Sequence, residues 1–290
     1  MKLHLLLLIF ISLSFTSVNA QYSKHKRKRS TNAGTIFFYW GNNRTFYSPS
    51  SIRFIGTDYD FTLSKVKGQD KQTRNAGDYF NPTRITLPQY NFRLGYYFVQ
   101  KWAISVGVDH FNYRIKSNSE AVLNGHFGLK ADSLWKGNYT DESVILDPAH
   151  FYFEHSGALN FIRIELMRSF DIWEAGRKRQ FAITGNVGAG LGPVLSKSYL
   201  YFNGKQTHGS ATAAGYGLGI SGAIRLEFFK HVFIQGEGGF SFAHLPSIKT
   251  NISDLNQRSK QAFGFANVNL TLGILLYARP KNACDSCPKW

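Results

Sequence analysis

The sequence predicts an all-β chain, closed into an antiparallel up-and-down barrel of eight strands that spans a membrane. Three observations predict it. Apolar and polar residues alternate with period two in segment after segment past Ala33, with no stretch of helical period between them. The connections between these segments alternate strictly between long and short. One strand parity is large and apolar, while the other is small and sparsely charged.

Composition bounds the alternatives. The chain has 290 residues, with Lys+Arg 34 against Asp+Glu 18 and a formal charge of +16. Charged residues make up 18%, below the ~25% usual for soluble domains. Mean hydropathy is −0.23. Past the N-terminus no apolar run approaches the ~20 residues of a membrane helix, which excludes a polytopic helical protein. With 25 Phe, 15 Tyr and 27 Gly, the chain is too aromatic and too weakly charged for disorder. The basic balance points to nucleic acid or to an anionic surface.

The N-terminus chooses between them. Met1-Lys2-Leu3-His4 is a basic start, Leu5 to Phe15 is apolar, and Thr16-Ser17-Val18-Asn19-Ala20 supplies small residues at a cleavage site. Residues 1–20 read as a signal peptide, against the alternative of a buried helix. Export removes nucleic acid as a partner. The chain then divides into 21–34, a basic periplasmic tail; 35–278, the barrel; and 279–290, a C-terminal tail. Cys284 and Cys287 in that tail read as a small-loop disulfide, because a zinc site needs two further ligands and a redox pair needs a βα context. The Asn-x-Ser/Thr matches at Asn43, Asn138, Asn251 and Asn269 carry no functional weight.

The eight segments are Ile36–Asn43, Phe92–Phe98, Trp102–Asp109, Ala158–Arg168, Phe181–Leu191, Leu218–Phe228, Phe233–Phe242 and Ala266–Leu276. Val99 to Lys101, Asp171 to Lys178 and Lys230-His231 are tight connections. Thr45 to Ile85, Lys116 to Gly157, Gly192 to Ala211 and His244 to Gln261 are long. Outer-membrane barrels have this asymmetry, with short periplasmic turns and long outer loops. The even strand count puts both chain ends on the short-turn side.

Ile104, Val106, Ile164, Leu166, Leu218, Ile220, Leu270 and Leu272 represent the apolar parity, suited to lipid. Ser105, Gly107, Thr184, Asn186, Gly219, Ser221, Asn269 and Thr271 represent the other, suited to the crowded interior of a narrow barrel. Phe98, Trp102, Phe170, Trp173, Phe181, Phe228, Phe229, Phe233 and Tyr277 cluster beside the short turns, where an interfacial girdle belongs. Strand preference explains such aromatics but not their clustering.

Several runs resemble an outer-membrane β-barrel family of Bacteroidetes-type bacteria. They are Ser51-Ile52-Arg53-Phe54-Ile55-Gly56-Thr57-Asp58-Tyr59-Asp60-Phe61-Thr62-Leu63, Leu87 to Phe98, Gly107-Val108-Asp109-His110 and Phe153 to Asn160. The resemblance spans most of the mature chain and implies fold and cell outer-membrane location, with no activity to carry over.

On the inward parity the charged residues are Arg93, Asp109, Arg163, Glu165, Arg225, Glu227 and Glu237, three basic against four acidic. Arg225 and Glu237 come within cross-strand or diagonal reach around Lys230-His231. These groups suit either the charge filter of a small gated pore or an ion-paired plug, because buried charges are tolerated only when paired. The narrow lumen favours the plug.

Glu154-His155-Ser156 supplies residue types for nucleophilic chemistry, as in a lipid-modifying outer-membrane enzyme. Strand alternation, however, sends His155 to the face opposite Glu154 and Ser156. His244 with Ser247 and Asp109 beside His110 are no better arranged. Asp58-x-Asp60 falls short of the 6–8 oxygens calcium requires. The expectation is a non-enzymatic barrel without cofactor or metal, structural or surface-interacting. The run Ile52 to Leu63 extends the wall outside the membrane, or inserts to give ten strands. The second long connection carries Trp135, Tyr139 and the acids Asp132, Asp141, Glu142 and Asp147.

Expected partners are outer-membrane lipids around the apolar face and the barrel assembly machinery. The latter would read Thr271-x-Gly273-x-x-Leu276, with Ala278 where an aromatic is usual. The short-turn side gathers thirteen basic residues against Asp171, Glu174 and Asp285. Of these, Lys24, Lys26, Arg27, Lys28 and Arg29 form a tail suited to anionic phospholipid or cell-wall polymer. The alternative is a solvated tail.

Overall fold

A computed structural model describes residues 29–71, 89–128, 136–176, 179–202 and 204–278, without the side chains of 156–158. The expected signal peptide, Lys24, Lys26, Arg27, Lys28, Cys284 and Cys287 lie outside the described residues. Fifteen strands follow one another: β1 (Thr35–Tyr47), β2 (Ser50–Gly56), β3 (Tyr59–Val66), β4 (Gly68–Asp70), β5 (Tyr90–Val99), β6 (Trp102–Phe111), β7 (Tyr113–Ile115), β8 (Glu120–Phe127), β9 (Gly137–Ile145), β10 (Phe151–Ala175), β11 (Phe181–Phe202), β12 (Lys205–His208), β13 (Thr212–Phe228), β14 (Val232–Lys249) and β15 (Arg258–Tyr277).

Eight of them make a ring. β1, β5, β6, β10, β11, β13, β14 and β15 pair antiparallel in that order. β15 then returns to β1, from Thr35↔Tyr277 to Tyr47↔Phe265. Closure leaves these strands no open edge. The eight are the periodic segments of the sequence, joined in chain order.

The ten-stranded alternative does not occur. β2 joins β15 only from Ser51↔Ala262 to Ile55↔Arg258, beyond the last partner of β15 in β1. From there β3, β8 and β9 continue the sheet. On the other side β7 pairs with β10 and β4 with β7. Much of the two expected loops 192–211 and 244–261 is also strand, because β11 runs to Phe202, β14 to Lys249 and β15 starts at Arg258. β10 has 25 residues and β11 has 22, whereas a membrane crossing takes about 9–11.

The reason for the extra length lies in a reversal of polarity along each strand. In β15, Val268, Leu270, Leu272 and Ile274 face outward, with Leu270 65% exposed, while Asn267, Asn269 and Thr271 are buried. Further along, Phe263 and Phe265 turn inward, and Lys260 and Arg258 face out. The same strand is therefore apolar-out near the short turns and apolar-in beyond them. β11 behaves likewise, with Val187 and Leu191 exposed but Val194, Leu200 and Phe202 buried.

The interior consequently has three layers. Nearest the short turns lies an aromatic cluster of Phe37, Tyr39, Tyr97 and Phe233, with Met167 packed among them. Arg93, Asp109, Arg163, Glu165 and Glu237 occupy the middle. Above them is a large apolar core, where Phe54 of β2 meets Phe151 and Phe153 of β10 at ring distances of 5.4 and 5.2 Å. The β2–β3–β8–β9 ribbon thus caps the long-loop end.

Phe98, Phe170, Trp173, Phe181 and Phe229 are exposed beside the short turns, and Trp102 and Phe228 are half-buried. Phe233 departs from the expected girdle, because its parity turns it into the lumen, where it is fully buried. Its ring occupies space that Gly273 leaves free: a Cβ there would lie 2.2 Å from Phe233 Cζ. Tyr277 is partly buried and donates its hydroxyl to Lys230 O at 2.6 Å.

Candidate functional site

The densest polar chemistry is the middle of the lumen. All seven charged residues read from the inward parity lie there or just below, each buried to 5% exposure or less. Arg93 Nη2 donates to both Asp109 oxygens at 2.8 and 2.7 Å, across the β5–β6 pair. Arg163 on β10 lies 3.7 Å from Asp109, 3.4 Å from Glu165 and 3.6 Å from Glu237. Neutral groups complete the shell: Ser221 Oγ donates to Glu165 at 2.6 Å, and Tyr39 Oη and Asn269 Nδ2 donate to Glu237 at 3.2 and 3.0 Å.

Arg225 and Glu237 are diagonal cross-strand neighbours, within the reach expected of them, and they are linked through Gln235. The register sets Arg225 opposite Gln235 and Ala223 opposite Glu237, so the two charges are offset and Gln235 stands between. Arg225 Nε donates to Gln235 Oε1 at 2.9 Å, and Gln235 Nε2 donates to Glu237 Oε2 at 3.1 Å. The Arg225 guanidinium sits 4.1 Å from the centre of the Phe233 ring and 5.0 Å from that of Phe37, a cation–π sandwich that supports the charge.

Glu227 belongs to a separate group at the short-turn end. It accepts from Ser30 Oγ at 2.7 Å and Thr184 Oγ1 at 2.9 Å, and Arg179 Nη2 lies 3.4 Å away. Residues 29–34 cross this end of the ring, tied by Gly34 N to Tyr97 O and Lys101 N to Thr31 O at 2.8 and 2.7 Å. Arg29 is thereby withdrawn from the expected tail: its Nη1 donates to Asp171 at 3.0 Å. Arg179, expected on the basic surface, is 3% exposed.

Sequence reasoning missed Gln235, Asn269 and Tyr39, although their parity was visible, because only charges were counted. Nothing local announced Arg179 or Ser30, which reach Glu227 through tertiary folding.

The outer-wall residue types do not converge. His155 points inward, with Nδ1 2.7 Å from Ser196 Oγ and Nε2 3.0 Å from Gln261 Oε1. Burial holds its imidazole down to about 4. Glu154 points outward, accepting from Lys71 Nζ at 3.0 Å. The buried Ser–His contact has a carboxamide where an orienting carboxylate would stand, so it lacks the arrangement of an activated nucleophile. Asp109 and His110 likewise face opposite ways, and His110 Nδ1 meets Asn160 Oδ1 at 2.6 Å. Asp60 is held by Arg53 at 2.8 and 2.6 Å, and this bond keeps its carboxyl below the usual range. Among the described residues no three His, Cys, Asp or Glu side chains gather to hold a metal ion.

No protein-family model matches the chain, and no curated protein matches it. Solved barrels align with it over most of its length. The outer membrane protein OprG from Pseudomonas aeruginosa is 11% identical, covering 87% of this chain and 100% of its own, at a TM-score of 0.37. Neisserial surface protein A (NspA) is 11% identical, covering 84% and 97%, at 0.34. The outer membrane protease OmpT from Escherichia coli is 8% identical, covering 87% and 99%, at 0.35. The ring of strand pairs defines the barrel by itself.

Proposed function

We propose that this protein is an integral outer-membrane barrel with a sealed lumen, acting as a structural or surface-interaction protein through its long-loop end. The observation that carries this reading is the polarity reversal along the strands. An apolar exterior with a polar, ion-paired interior is the pattern of a lipid-embedded wall, and its inversion higher up is the pattern of a water-facing cap. On this reading the short turns and the 29–34 segment face the periplasm, and the β2–β3–β8–β9 ribbon faces outward.

The filled interior favours this reading over a gated pore. An aromatic layer, an ion-paired layer and an apolar core succeed one another along the axis, and eight strands enclose room for little more than side chains. The scattered outer-wall groups disfavour a lipid-modifying enzyme. Lys24, Lys26, Arg27 and Lys28 are the part of the tail left to meet anionic phospholipid or cell-wall polymer. The assembly machinery would read the end of β15.

The experiment is fractionation with reconstitution. Carbonate-washed membranes should retain the protein, unboiled and boiled samples should migrate differently on a denaturing gel, and planar bilayers should show no steady conductance. Recovery from the soluble periplasm without heat-dependent mobility overturns the membrane reading, and reproducible single-channel steps overturn the sealed lumen.

A further inference from the structure

Outside the apolar belt, β4, β7, β10, β11 and β12 form one continuous sheet. Its outward face is unlike ordinary solvated sheet. One cross-strand row runs Gln69, Arg114, Glu154, Tyr199, His208 in register. Beside it Tyr152 pairs with Tyr201, and Tyr201 with Gln206. The rings touch, with Tyr152–Tyr199 centroids at 5.7 Å and Tyr199–His208 at 5.1 Å. The outward positions of β2, on the other arm of the extension, carry Ser51 and Arg53 instead.

The row is also anchored. Glu154 is only 4% exposed, although it stands on the outward face. Its oxygens accept from Lys71 Nζ at 3.0 Å each, and one accepts from the Tyr152 hydroxyl. A buried carboxylate thus holds an aromatic ring and a lysine in place at the surface. Arg114, Lys71 and Lys197 make the face positive beyond what Glu154 offsets.

We propose that this face binds an anionic saccharide. Tyrosine and histidine rings present flat apolar surface to the C–H faces of a sugar, while their polar edges stay wet. Planar Arg and Gln side chains match hydroxyl pairs, and Arg matches phosphate or carboxylate bidentately. Height favours sugar over lipid headgroup. Tyr199 is eight residues beyond Leu191, an exposed aliphatic of β11, and at ~3.3 Å per residue and ~40° tilt it stands roughly 20 Å further out. Glu154, Tyr152 and Lys71 are positioning groups; Tyr199, His208 and Arg114 supply the contact surface.

The proposal rests on the cap being extracellular, so topology is read separately, by surface labelling of an epitope inserted at residues 251–256 on intact cells. No labelling overturns that reading and with it the surface role. Saccharide binding is then measured by calorimetry on purified protein in mild detergent, which does not depend on topology. The probes are phosphorylated core oligosaccharide from rough lipopolysaccharide, the same after phosphatase, and a polyuronate oligomer. Binding by the first, weakened at least tenfold by phosphatase, assigns the ligand to the protein's own leaflet, and binding by the polyuronate assigns an extracellular polymer. Tyr199→Ala and Arg114→Ala should each lose about tenfold, Tyr199→Phe should stay within threefold, and Arg53→Ala should change nothing, with heat-dependent mobility confirming folding. Absence of binding to all three probes at millimolar concentration, binding indifferent to charge, or wild-type affinity in Tyr199→Ala overturns the proposal.

Discussion

Ser30 Oγ donates to Glu227 Oε1 at 2.7 Å across 197 residues of chain. The contact closes the short-turn end of the barrel with a segment that precedes the first strand. Both Ser30 and Thr31 are fully buried, and Thr31 Oγ1 and Arg29 Nη1 reach the two oxygens of Asp171 at 3.3 and 3.0 Å. The strap therefore adds donors to two carboxylates that Arg179 and Lys101 also face, Glu227 beside Arg179 and Asp171 beside both.

Ser30→Ala should cost about 1–3 kcal/mol, the usual loss for a buried hydrogen bond to a charged group. The readout is the urea midpoint of the refolded barrel. Conductance should stay at zero in the same variant, because the apolar core still seals the other end. A channel opened by this change alone would contradict the layered interior.

Arg225 and Glu237 should couple through Gln235 rather than directly. A double-mutant cycle of Arg225→Met and Glu237→Gln should give a measurable coupling that disappears in a Gln235→Leu background. Arg225→Ala should destabilise by about 3 kcal/mol or more, since it empties the space beside Phe37 and Phe233 and leaves Gln235 Oε1 without its donor. Coupling that persists without Gln235 would argue for direct contact.

Gly95→Val should be destabilising by about 1–3 kcal/mol or more, through overpacking. A Cβ at Gly95 would lie 2.0 Å from Phe37 Cζ, so the ring must move. Phe37→Ala should recover part of the loss in the double variant. No recovery would place the strain in the backbone instead.

The cap should loosen as pH falls. The folded protein holds His155 neutral down to about 4, chiefly through burial, whereas the unfolded chain takes up its proton near 6.5. Below 6.5 the unfolded state therefore binds the extra proton and gains. Stability is fully present above pH 6.5, falls between 6.5 and about 4, and levels off below. The total is on the order of 3 kcal/mol. Hydrogen exchange of β10 and β15 amides around His155 and Gln261 should report it, and His155→Gln should flatten that pH dependence.

The sequence by itself determined the eight barrel strands, their order and which charged side chains face inward. Period-two alternation acts locally, and the short turns force consecutive strands to pair, so both are written residue by residue. Thus Arg93, Asp109 and Arg163 could be placed together before any contact was known. Tertiary structure alone decided three things: that Arg225 meets Gln235, that Arg29 and Ser30 fold under the barrel, and that the ribbon carrying Phe54 and Phe61 caps it. Each depends on a register offset or on chain closure over long separation. Those are set by how rings and charges share a narrow interior, a property of all eight strands together and of none of them singly.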